Sequence, residues 1–197
     1  MPLDDPLDRA LYLQGERVRL RPLQIDDAAA FQSWINDPEV QRLAGGRGWQ
    51  FSLPAQEDYV RARLANDREH GVALTIEVTD IEGAPRLIGN LELRRLEAVE
   101  RRGEIGIMTG DREFWSRGYG EDAMRTICRY GFHDLDLHRL ELNVAAFNTR
   151  ALRCYEKVGF TIEGRLRDHR YVAGRYYDTL LMGLLREDFD AREAART

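Results

Sequence analysis

The chain has 197 residues, 43% hydrophobic and 32% charged, with a formal net charge of −5. This balance fits a soluble globular chain, one domain with its own core or a tight pair of subdomains, rather than a disordered one. Net acidity argues against nucleic acid as the partner, because phosphate contacts need a basic face, and it favours cationic substrates such as amines.

The first strand signal is RVRLRPL, Arg17 to Leu23, where Val18 and Leu20 alternate with arginines. Asp26 opens a helix with Phe31, Trp34 and Ile35 on one side, and Asn36-Asp37-Pro38 stops it. Ala44 to Gln50 reads as loop, and Ser52-Leu53-Pro54 opens a second helix that His70-Gly71 closes. Three alternating stretches then predict an antiparallel meander: Val72–Thr79, Arg86–Leu96 and Gly103–Thr109. Gly120 to Phe132 has helical spacing, His138–Val144 is a strand, and Asn148–Val158 is a helix stopped by Gly159. Thr161–Tyr171 and Arg175–Leu185 form a closing hairpin turned at Ala173-Gly174, followed by a ragged helix or tail. The order β-α-α-β-β-β-α-β-α-β-β predicts an α+β fold. It would be a three-layer α/β/α sandwich around a mixed, mostly antiparallel sheet of about seven strands. Residues 1–14 are expected to be an N-terminal extension, 15–189 a single domain and 190–197 a polar tail.

The stretch FWSRGYGEDAMR, Phe114 to Arg125, is a glycine turn that opens a helix. Free N–H groups and the helix dipole favour an anion there, and glycine lets backbone approach it closely. No GxxxxGK[ST] string exists, so a P-loop is excluded. Gly118 to Ala123 does fit GxGxxA, with Glu141 about 20 residues on, as in dinucleotide-binding folds. That motif belongs directly after the first strand, whereas here Asp111 to Arg117 intervene and several elements precede.

Two blocks together carry more. EIGIMTGDREFWSRGYGEDAMRTICRYGF and LHRLELNVAAFNTRALRCYEKVGFTIEGRLRD combine W-x-x-G-x-G-x-x-A with N-x-x-[S/A]-x-x-x-Y-E-K-x-G-F, one helix and one strand apart. In this the chain resembles the GNAT N-acetyltransferases over about Gly15 to Phe189. It is most similar to the RimJ/RimL-type branch, which acetylates protein N-termini and small amines. The resemblance implies acetyl-CoA as co-substrate. Its pyrophosphate would be wrapped by the backbone of Arg117, Gly118, Tyr119, Gly120 and Glu121. Its pantetheine arm would pair with Ile107, Met108 and Thr109, and Asn148 would be a further polar contact. Two departures stand out: Trp115 replaces the superfamily's Gln or Arg, and Ala151 replaces a frequent serine.

Acetyl transfer needs a neutral amine, a polarised thioester carbonyl and a proton for the leaving thiolate. Periodicity alone favours Tyr155 as a core aromatic, and the resemblance reverses that by implying it as the acid. Glu104 is the candidate base, against a solvated or salt-bridged strand glutamate. Glu92 stands in reserve, and a water chain could serve with no single base. Arg117 could be a plain loop arginine. For Glu121 and Asp122 only the backbone is credited, since an acidic side chain competes with an anion for the helix start. Gly159-Phe160 reads as a helix stop and core anchor. A non-catalytic acyl-CoA sensor on the same fold is the rival reading.

The acceptor-choosing residues are expected in Ala44–Ser52 and Asp168–Arg175, with Trp49 and Phe51 as an apolar wall or as core. Cys128 and Cys154 have no metal or disulfide spacing, which fits a reducing cytoplasm. His70, His133, His138 and His169 form no metal pair, so no metal is expected. The opening MPLDDPLDRALYLQ is acidic and proline-broken, unlike a signal peptide, and no apolar run could span a bilayer, so no membrane partner is expected. A homodimer is compatible with these features.

Overall fold

The computed structural model of the chain describes residues 13–44, 48–65 and 71–196. Eight strands form one sheet: β1 (Leu13–Gln14), β2 (Val18–Pro22), β3 (Gly71–Val78), β4 (Arg86–Glu97), β5 (Arg102–Thr109), β6 (Arg139–Ala145), β7 (Thr161–Val172) and β8 (Arg175–Leu185). Their spatial order is β1-β2-β3-β4-β5-β6-β8-β7. Every neighbouring pair is antiparallel except β5–β6, which runs parallel and is joined through a helix, as a parallel connection requires a crossover.

The helices are α1 (Ala28–Ile35), α2 (Pro38–Ala44), α3 (Leu53–Leu64), α4 (Tyr119–Arg129), α5 (Thr149–Val158) and α6 (Arg186–Ala194). Strand alternation separates two cores. Leu74 and Ile76 of β3 pack with Ala123, Met124 and Ile127 of α4, Val158 of α5 and Phe189 of α6. On the opposite face Ala73 meets Phe31 of α1 and Val60 of α3. Helices therefore cover both faces of the sheet, which is the expected sandwich.

Three elements differ from the sequence reading. The sheet has eight strands rather than seven, because Leu13 and Gln14 fold back onto Leu20 and Arg19. Two residues carry no periodicity to read. Helix α2 stands where only a stop was read: the Asp37 carboxylate accepts from the N–H groups of Glu39 and Val40, so the terminator of α1 also starts α2. The polar C-terminal stretch continues as helix to Ala194. It is held by Phe189 against Phe132, rings 5.4 Å apart, and by Arg125 of α4 pairing with Glu193. The closing position His70 and loop residues Gly45, Gly46 and Arg47 lie outside the described residues.

The feature that positions the site is a divergence. β5 pairs with β6 only through Arg102, Gly103 and Glu104, opposite Arg139, Leu140 and Glu141. From Ile105 to Thr109, β5 pairs with β4 alone, while β6 continues against β8. The strands part like a V, and that run of β5 edge has no strand neighbour.

Candidate active site

The glycine turn leaves β5 tightly. The N–H groups of Gly110 and Asp111 both donate to the Ile88 carbonyl, at 2.9 and 3.0 Å. Gly118 then takes a left-handed conformation (φ 91°) as the residue before α4, a conformation that favours glycine. At Gly120 a methyl group would sit 3.5 Å from Thr109 Oγ1, an ordinary contact. Packing within the protein therefore does not require glycine there, whereas a ligand drawn close to the backbone would.

No side chain caps the start of α4. The two acids that could compete for it are engaged elsewhere. Asp122 accepts from the backbone N–H groups of Glu16, Arg17 and Val18 at 3.0, 2.7 and 2.9 Å, pinning β2 onto α4. Glu121 faces Arg125 at 3.3 Å and Lys157 at 3.7 Å. The first-turn N–H groups and the positive end of the dipole remain open to an anion.

A cleft of about 390 Å³ lies in front of this helix start. Of the residues expected to hold the donor, Ile107, Met108, Thr109, Gly118, Gly120, Glu121 and Asn148 line it. Arg117 and Tyr119 do not. Tyr119 is buried edge-on to Phe114, ring centroids 5.5 Å apart, with the Arg17 guanidinium 4.1 Å over its ring. Arg117 is exposed, and its carbonyl accepts from Arg17 at 2.6 Å. Asn148 caps α5, accepting from the Ala151 N–H at 3.2 Å, and its amide donates to the Leu43 carbonyl at 3.4 Å.

The sequence reading missed one wall of the cleft. Arg150, Arg153 and Lys157 of α5 line it, at i, i+3 and i+7, a spacing that puts three cations on one helix face. That spacing was the available signal. The Arg150 guanidinium lies 3.4 Å over the Trp115 ring, whose indole N–H donates to the Thr109 carbonyl at 2.7 Å. Burial pulls the Arg150 pKa below its ordinary value, yet guanidinium holds its proton at any working pH.

Tyr155 sits where the cleft meets a second pocket of about 180 Å³, and it lines both. Its ring is only 8% exposed and lies edge-on to Phe160. Its hydroxyl has no hydrogen-bond partner among the described residues. Burial pushes its pKa well above the usual tyrosine range, so it stays a protonated phenol. Cys154 beside it also faces the cleft, and burial pushes that thiol up to about 12.

Glu104 lines the second pocket, but both carboxylate oxygens are engaged. Oε1 accepts from Arg94 at 2.6 Å and Oε2 from Arg95 at 2.5 Å. Glu92 lines neither cavity. It accepts from the Tyr59 hydroxyl at 2.6 Å and from Arg63 at 2.8 Å. Burial works to raise its pKa, but these hydrogen bonds and nearby arginines outweigh it and hold the carboxyl below its ordinary value. Among the described residues of the two acceptor loops, only Ala44 and Arg170 reach the second pocket. Trp49 is 61% exposed, and Phe51 is tied by its backbone to Asn36 and Gln32 rather than facing either cavity. Among the described residues no group of three or more His, Cys, Asp or Glu is placed to hold a metal.

The profile of the acetyltransferase (GNAT) domain family matches residues 17–161, most of the chain. The chain belongs to the GNAT acetyltransferases. It is thus an acyltransferase, and its mixed, mostly antiparallel sheet with helices on both faces is the GNAT fold. A spermidine N(1)-acetyltransferase of Escherichia coli K12 is 27% identical over 172 residues, covering 87% of this chain and 88% of that one. Among solved GNAT structures, the Vibrio cholerae spermidine N-acetyltransferase in complex with CoA and spermine superposes with a TM-score of 0.77 at 24% identity, covering 88% of this chain and 98% of the other. Mycobacterium smegmatis RimJ in complex with CoA-disulfide has a TM-score of 0.77 at 22% identity, covering 91% and 88%.

Proposed function

We propose that the protein transfers an acetyl group from acetyl-CoA to a primary amine, by direct attack within a ternary complex. The observation that carries this reading is the uncapped start of α4 beside the unpaired edge of β5 and the protonated Tyr155, all on one cleft. The relatives that bind CoA, and act on amines by name, support it.

The amides of Gly118 to Glu121 would receive the pyrophosphate, with cationic support from Arg150, Arg153 and Lys157. The edge of Ile107, Met108 and Thr109 would pair with the amides of the pantetheine arm, leaving the thioester near Tyr155. The amine nitrogen forms its bond to the carbonyl carbon, the C–S bond breaks, and Tyr155 gives its proton to the departing sulfur and regains one from solvent. The proton lost by the amine passes to water and on to solvent, with Glu104 acting only through that water, because both Glu104 oxygens already hold guanidinium donors. Kinship with the RimJ/RimL branch, one domain over 15–189 and a cytoplasmic setting belong to the same proposal.

Incubation with acetyl-CoA and a panel of amines tests it, following release of free thiol. At least one primary amine should accelerate release and emerge acetylated. CoA binding with no acceptor-dependent release from any amine would contradict catalysis.

A further inference from the structure

The second pocket has an unbalanced charge. Glu104 is matched by Arg94 and Arg95, yet a further arginine, Arg170 of β7, also lines the pocket. Its Nε donates to Thr179 Oγ1 at 3.0 Å and its Nη2 to Asn143 Oδ1 at 3.1 Å, both neutral oxygens. Thr179 is 1% exposed, and its hydroxyl also meets His169 Nδ1 at 2.9 Å, so Arg170 is held by a fixed partner. No carboxylate among the described residues pairs with Arg170. Burial lowers its pKa with no acid beside it to raise it again. A half-buried cation without a counterion carries a desolvation cost that a ligand anion would offset. The guanidinium fork fits a carboxylate or phosphate through two parallel N–H donors, and the Nη1 donors have no partner among the described residues.

We propose that the amine acceptor carries its own oxyanion, received by Arg170 while the amine faces Tyr155. This rests on the acetyl-transfer reading and names its substrate class. Arg170 and Tyr155 line one pocket of about 180 Å³, so amine and oxyanion sit a short distance apart, as in an α-amino acid. The oxyanion takes no part in the bond changes; it orients the nitrogen. A polyamine would instead set a further cation against Arg170, which has no carboxylate beside it among the described residues, an arrangement that disfavours it. Asn143 and Thr179 are positioning residues for the guanidinium.

Calorimetric binding to the full chain saturated with CoA tests this. The probes are the common α-amino acids with their carboxamides, O-phosphoethanolamine with ethanolamine, and spermidine. At least one anion-bearing amine should bind about tenfold or more tighter than its neutral counterpart. Arg170→Gln should erase that difference and leave CoA affinity unchanged, and Arg170→Lys should keep part of it. Neutral amines or spermidine binding as tightly as the anionic ones, or no anionic amine binding at all, would overturn the proposal. The acid-against-amide comparison needs no variant, so a misfolded Arg170→Gln protein leaves it decisive. Thiol release with the same probes separates the two readings. Anion-selective binding without release sinks acetyl transfer and leaves the anion pocket. Release with neutral amines alone does the reverse.

Discussion

At the glycine turn the groups facing the cleft are backbone N–H groups and the cations of one helix. At Glu104 and Arg170 they are side chains from four strands: Arg94 of β4, Glu104 of β5, Asn143 of β6 and Arg170 of β7. The first arrangement needs only glycine and a helix start, so it can serve one constant ligand with little sequence. The second is set by which charges meet where the strands part, and it can change partner by single substitutions.

Variants should separate the two ends. The largest effect is expected from Tyr155→Phe, which removes the proposed acid: kcat should fall about 100-fold or more with CoA affinity unchanged. Because burial keeps Tyr155 protonated, the wild-type rate should rise with pH as the amine loses its proton. It should show no fall around the ordinary tyrosine pKa of 10.0. Gly120→Asp puts a fixed negative charge at the open helix start and should weaken CoA binding by about 100-fold, read by calorimetry. Its melting temperature should hold, since Thr109 Oγ1 tolerates a Cβ there.

Asp122→Ala should act on the fold rather than the chemistry. Three backbone N–H groups lose their acceptor, so denaturant unfolding should show a loss of about 2 kcal/mol with kcat retained. Arg150→Ala should raise the Kd for CoA about tenfold without touching the acceptor KM. Glu92→Gln should change kcat least, under about threefold, because it faces neither cavity. Its folded pKa lies below the ordinary 4.5, so the stability it contributes is present above that value. That stability is lost as pH falls through the depressed folded pKa.

The proposed donor end could be read from the sequence because its signals are local. Gly118, Gly120 and the N-x-x-A-x-x-x-Y block fix it within a helix and a strand. The same locality hid what lies across space. Tyr119 belongs to the motif, yet its ring is core, because the turn delivers its backbone to the cleft and its side chain to Phe114 and Arg17. The arginines that occupy Glu104 come from β4, next to it by register and 10 and 9 residues away in sequence. Arg170 reaches the pocket only through the β7–β8–β6 pairing. Helix α2 escaped because one Asn-Asp-Pro signal both ends a helix and begins another.

Direct transfer between two bound substrates is the proposed route. A nucleophile that could divert it is present: Cys154 lines the cleft, but burial holds its thiol up at about 12, leaving almost no thiolate at neutral pH. Initial rates with acetyl-CoA and the amine varied together are the most direct measurement. Intersecting reciprocal plots, with no acetyl group on the protein by mass spectrometry, are predicted. Parallel plots with an acetylated Cys154 would contradict it.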